Sequence, residues 1–203
     1  MRQLILVVVL VAASFLGGAF VNGPGLQWVQ TSVLRSLGLH NGGEIISVDL
    51  KSTASSEASS NGLVLAKPET YMNLSGISVQ ALVKEFDTRD LIVIYDEIAL
   101  PLGSLRIRER GSSGGHNGVK SVSGALGSEE WLRIRIGVAP PGDEAAERAR
   151  RGRKDYVLTP MRKAQLTILD QVLDRTAQAV EMVLAKGAGP AMNEFNRREP
   201  GDE

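Results

Sequence analysis

Four short stretches of this sequence place polar side chains where a core strand or helix has no use for them. In Met72-Asn73-Leu74-Ser75-Gly76 a helix is predicted to begin, which places Ser75 to cap it and Asn73 to point its amide into a cleft. An ordinary capping turn would use the same residues. Tyr95-Asp96-Glu97 ends an apolar run. A carboxylate there is suited to accept an imidazole N–H, which fixes the tautomer and raises the basicity of the ring; a surface ion pair is the plain alternative. The stretch from Gly111 to Gly118 (GSSGGHNG) is the most informative, because four Gly and two Ser allow backbone to approach a ligand closely and His116-Asn117 follow where a helix is expected to start. No Lys-Ser/Thr pair follows the last Gly, so this is not a GxxxxGK[ST] phosphate loop. A flexible surface loop is the competing reading.

The fourth feature is basic. Arg106, Arg108 and Arg110 alternate before the Gly-rich stretch, Arg133 and Arg135 alternate after it, and Arg148, Arg150, Arg151, Arg153 and Lys154 follow. Strand residues two apart share one face of a sheet, so these side chains are expected to converge on phosphates. A solvated charged face is the alternative.

The elements that must position these residues are legible in the apolar pattern. Leu63 to Ala66 and Leu91 to Tyr95 are short apolar runs, the second expected to stop at Asp96-Glu97 and deliver its acids to a sheet edge. Leu132, Ile134, Ile136 and Val138 alternate with Trp131, Arg133, Arg135 and Gly137, which predicts a strand with one buried face. A helix is predicted from about Gly76 to Phe86. Another carries Leu166, Leu169, Leu173, Val180 and Leu184 on one face, closed by Gly187 and Pro190. Positions 26–39 have helical spacing ending at Gly38, and Ser52 to Gly62 reads as an exposed Ser-rich loop. Leu4 to Val21 carries no charge after a lone Arg2. That fits the n- and h-regions of a secretory signal, and it equally fits a buried parallel strand over Leu4 to Val11. Strands and helices interleave, so the expected fold is a single-domain α/β sandwich, a mostly parallel central sheet flanked by helices.

Composition narrows the chemistry. At 203 residues, 43% apolar and 23% charged, the chain suits one globular core and not a multi-span membrane protein or a disordered tract. With no Cys, a disulfide, a thiolate zinc site and a cysteine nucleophile are excluded, and His40 and His116 are the two imidazoles. The 23 Lys+Arg balance the 23 Asp+Glu, so an RNA surface has to come from local clustering.

Taken in order, KPETYMNLSG, IYDEIALPLG, RGSSGGHNGVKS, RIRIGVAPPGD and a DYVL segment before a long C-terminal helix resemble bacterial-type peptidyl-tRNA hydrolases. The resemblance covers roughly residues 63–196, about two thirds of the chain. It implies a monomer that hydrolyses the ester between a peptide and the terminal ribose of tRNA, recycling tRNA, without metal or organic cofactor and away from membranes. The expected partner is peptidyl-tRNA, held by its acceptor stem and its peptide ester. Asp96 then resembles the carboxylate that orients a histidine base, and Asn117 the side chain that holds substrate and stabilises the oxyanion. Asn73, with Met72 beside it, resembles the amide that positions substrate or water, and His116 lines the same cleft. Arg108 stands where the family grips tRNA phosphate and Arg135 resembles a second such residue; Arg106, alternating with Arg108, is expected to bind tRNA with them. A cytoplasmic location is implied, with a mitochondrial one as the alternative.

The N-terminus departs from the family. Residues 1–25 form a divergent apolar segment, strand or signal-like, and 26–198 the hydrolase-like domain with the Ser-rich loop at 52–62. The family's strand is followed by a Gly-Asn-Pro-Gly-like turn and, about ten residues later, its histidine base. Here Asn22-Gly23-Pro24-Gly25 is a scrambled echo of that turn, Leu34 and Arg35 stand where the base belongs, and His40 falls too late. Three origins fit: a misassigned first coding segment, which is the favoured one; a relative that binds tRNA or other RNA without hydrolysing it; and a signal or anchor. His116 is expected not to replace the base, so hydrolysis by this exact sequence is expected to be weak or absent.

Overall fold

In a computed structural model of the chain, the described residues are 6–11, 46–49, 63–68, 70–139 and 161–197. Six strands, β1 (Leu6–Val11), β2 (Ile46–Asp49), β3 (Leu63–Lys67), β4 (Leu91–Pro101), β5 (Leu105–Arg108) and β6 (Leu132–Ala139), form one sheet in the order β2-β3-β1-β4-β6-β5. All neighbours pair in parallel except β5, which lies antiparallel to β6 at the edge. A 3-10 turn (Met72–Leu74) leads into α1 (Ser75–Glu85), and α2 (Asn117–Leu126), α3 (Lys163–Lys186) and α4 (Ala188–Phe195) complete the described elements.

Alternation along β4 builds both halves of the core. Leu91, Val93 and Tyr95 face Val79 and Leu82 of α1 and Val119 and Val122 of α2. Ile92 and Ile94, with Ile107, Ile134 and Ile136, face Leu169, Val172, Leu173 and Val180 of α3 and Phe195 of α4. Successive strand residues point to opposite faces, so a strand covered on both sides reads as the continuous apolar run seen in the sequence. The result is the helix-flanked, mostly parallel sandwich that the sequence leads one to expect. Leu6–Val11 lies between β3 and β4, so the strand reading of the first apolar run is the one this sheet uses.

Three expectations are corrected. β4 does not stop at Asp96-Glu97 but runs on to Pro101, with its pairing to β6 shifting between Glu97 and Pro101. Gly137 makes that crossing possible, since a Cβ there would overlap the Pro101 carbonyl oxygen. β6 is buried on both faces in its first half, because Arg133 is as covered as Ile134. Pro190 lies inside α4, in its first turn where a missing N–H costs nothing, and Leu184 at the end of α3 is exposed. The expected helix at 26–39, the turn at 22–25, the loop at 52–62, His40, the Arg148 to Lys154 cluster and the DYVL segment lie outside the described residues.

An edge strand has backbone groups without a sheet partner. On β5 this is met by Asn196, just past α4, whose Oδ1 accepts the Ile107 N–H at 2.7 Å while its Nδ2 donates to the Ile107 carbonyl at 3.0 Å. Asn196→Ala orphans both groups, so unfolding in urea is expected to show a loss of about 1–3 kcal/mol. An unchanged midpoint would mean that β5 holds its place without the clamp.

Candidate active site

The extended β4 carries Asp96 beyond the core, and the Gly-rich stretch brings His116 to meet it. Gly114 and Gly115 take left-handed conformations, with φ of 55° and 84°, which turn the chain into α2. His116 is then the N-cap of that helix, with extended φ and ψ, and its Nδ1 accepts the Val119 N–H at 3.2 Å. Its Nε2 lies 3.5 Å from Asp96 Oδ1, at the long end for a hydrogen bond, and both side chains are 14% exposed. The Tyr95 ring packs against the imidazole with centroids 4.9 Å apart. A neutral ring whose Nδ1 accepts must carry its proton on Nε2, facing the carboxylate. Neither nitrogen then offers a lone pair to water, so His116 is positioned to hold Asp96 and to cap α2, not to take a proton from water.

Both asparagines lie on elements that meet at α2. Asn117 opens α2 and is exposed at the positive end of the helix dipole. Asn73 is exposed in the 3-10 turn, which packs against α2, while Met72 is half-buried against the α1/α2 half of the core. Ser75 does not cap α1 as expected. It is the first helical residue, and its hydroxyl donates back to the Met72 carbonyl at 2.9 Å.

The basic residues divide into two kinds. Arg106 lies opposite Arg135, and Arg108 opposite Arg133, across the β5–β6 pair. Arg108 is exposed; Arg106 is half-buried, with Nη1 donating to the Leu105 carbonyl at 2.8 Å. Arg135 is partly exposed and gives Nε and Nη2 to Glu97 Oε2, at 3.2 and 2.8 Å. Glu97 is buried, and its Oε1 accepts the Ala99 N–H at 2.9 Å. Arg133 is no phosphate ligand: it is 1% exposed, lies 3.8 Å over the Trp131 ring, and donates to the carbonyls of Glu129 (2.9 Å) and Ser112 (3.4 Å). It props the Gly-rich stretch from below. Burial lowers the Arg133 pKa from its ordinary value, and burial raises that of the neighbouring Tyr95 phenol against the pull of Arg135 and Arg133.

Sequence reasoning missed the roles of Glu97 and Trp131. A signal was there for Trp131, which stands two residues before Arg133 at the start of the alternating pattern. Among the described residues no three His, Asp or Glu side chains converge as a metal site requires.

A sequence profile described as peptidyl-tRNA hydrolase matches residues 33–202. The chain belongs to the peptidyl-tRNA hydrolase family. It is 59% identical over 140 residues to a peptidyl-tRNA hydrolase of Acidobacterium capsulatum, covering 68% of this chain and 69% of that one. To the protein of that name from Chloroflexus aggregans it is 46% identical over 138 residues, covering 66% and 70%. In fold it is similar to the crystal structure of peptidyl-tRNA hydrolase from Acinetobacter baumannii, with a TM-score of 0.65 and 23% identity across 98% of each chain.

The tautomer of His116 is directly measurable. Two-bond ¹H–¹⁵N correlation spectra of the neutral ring are expected to show Nδ1 unprotonated and Nε2 protonated. The opposite assignment would remove the cap and free Nε2 to act on water.

Proposed function

We propose that this chain hydrolyses peptidyl-tRNA, transferring water to the ester carbonyl that joins the peptide's C-terminus to the terminal ribose. The observation that carries this reading is the Asp96–His116 contact at the N-terminus of α2, with Asn117 beside it. Attack by water converts the planar ester carbon to a tetrahedral centre whose oxygen becomes negative. Asn117, an amide donor at the positive end of a helix, is suited to meet that charge. Asn73 and Met72 present the 3-10 turn to the substrate, and His116 closes the cleft wall and keeps Asp96 in place.

Asp96 supplies the fixed negative charge that favours a protonated base in the transition state. His116 is not that base, and the positions at which the family carries it, Leu34 and Arg35, have no imidazole. The phosphates of the acceptor stem fall to Arg106, Arg108 and Arg135 along the β5–β6 edge, with Glu97 holding the Arg135 guanidinium in a fixed plane. The enzyme acts as a monomer, in the cytoplasm, with no metal or organic cofactor in the reaction.

Incubation of the protein with N-acetyl-aminoacyl-tRNA is expected to release tRNA faster than buffer does. Asp96→Asn should lower turnover by about 10²–10⁴-fold while tRNA retention on a filter stays near wild type. Arg108→Ala combined with Arg135→Ala should instead raise KM and flatten the dependence of binding on salt, since fewer counterions are released. Release no faster than in buffer would contradict the proposed function.

A further inference from the structure

We infer that Ser121 is a positioning residue for this hydrolysis: from α2 it caps α1, and it thereby fixes the Asn73 turn relative to Asn117. The inference rests on the reading of Asn73 and Asn117 as the amides that hold substrate.

A helix begins with N–H groups that lack intrahelical partners, and a side-chain oxygen at the N-cap usually satisfies one of them. α1 has no such local cap. Its N-cap is Leu74, which has no side-chain oxygen, and the Ser75 hydroxyl is committed to the Met72 carbonyl. The missing acceptor comes from 45 residues further along the chain: Ser121 Oγ accepts the Gly76 N–H at 2.9 Å. The bond is made where the two backbones touch, because a Cβ at Gly76 would overlap the Ser121 carbonyl oxygen and press on the Ala125 side chain. One turn further, Gln80 Nε2 donates to the Ala125 carbonyl at 2.8 Å, a second tie along the same line. Backbone contact, unlike a layer of side chains, leaves no rotamer through which the spacing could relax.

The position of this tie gives it a role beyond stability. Gly76 is three residues after Asn73, and Ser121 is one helical turn after Asn117, so the bond lies one turn in from each amide. The 3-10 turn itself packs against α2. Without the cap, the buried Gly76 N–H loses its acceptor at the point where the two backbones touch, so the first turn of α1, and Asn73 just before it, must shift relative to α2 and Asn117 to regain one.

The test is a double-mutant cycle on the full chain with N-acetyl-aminoacyl-tRNA. Ser121→Ala is expected to lower kcat about 10-fold with KM little changed, since a small misplacement of a positioning group costs rate steeply. In an Asn73→Ala background the same change is expected to cost nothing further. Losses that multiply would overturn the inference, because a residue that merely supports the fold acts independently of Asn73. Ser121→Cys, which keeps the shape but is a poor acceptor, takes the place of the alanine variant should that variant not fold. A second measurement needs no activity, so it separates failure of this inference from failure of the proposed function. In ¹⁵N spectra of the free protein, either Ser121 variant is expected to shift the Asn73 side-chain amide signals and to speed exchange of the Gly76 amide, leaving the Ile107 amide unchanged. An unmoved Asn73 signal would overturn the positioning role whatever the enzyme's rate.

Discussion

The His116 ring is held at both nitrogens, and the entry into α2 takes its form from that constraint. Nδ1 caps α2 through the Val119 N–H, and Nε2 faces Asp96. To satisfy both, β4 must run past its apolar segment far enough to present Asp96, and the chain before α2 must turn sharply through Gly114 and Gly115. Tyr95 fills the space beside the ring, and Arg133 supports the Gly-rich stretch through the Ser112 carbonyl. An N-cap of this kind is worth about 1 kcal/mol, a modest stability term. Its larger consequence is chemical, because an imidazole used as a cap has no lone pair left for water.

A similar division of labour runs along β6, where two arginines two residues apart do different work. Arg133 is desolvated and stays acceptable because its guanidinium stacks on Trp131 and gives hydrogens to two carbonyls. A lysine would lack both the planar face and the forked donors. Arg135 sits nearer solvent and is oriented by buried Glu97. The neighbouring acids of β4 therefore serve different purposes: Asp96 faces the imidazole, and Glu97 fixes the Arg135 guanidinium.

Much of this was legible in the sequence because it follows from periods. Apolar runs gave β3 and β4, alternation gave β6, and the 3.6-residue spacing gave α3. The glycines before His116 pointed to the backbone turn that the structure contains. What could not be read was tertiary. Alternation along Leu132 to Val138 says that Arg133 and Arg135 share a face, but not that a stretch 21 residues earlier covers the first of them. The capping role expected of Ser75 followed a local rule, whereas the acceptor α1 uses lies in another helix. The apolar run at the N-terminus fits a leader and a buried strand equally well by composition. Parallel pairing of Leu6–Val11 with strands on both sides is information that only the assembled sheet carries.

The central proposal is that the Asp96–His116 pair belongs to the hydrolytic site, with His116 as holder and not as base. Its most direct test is kcat/KM for peptidyl-tRNA hydrolysis as a function of pH, compared between the wild-type chain and His116→Asn. The account predicts a lower rate in the variant with the shape of the wild-type profile retained. A limb near the ordinary imidazole pKa of about 6.5 that is present in the wild type and vanishes in His116→Asn would contradict it.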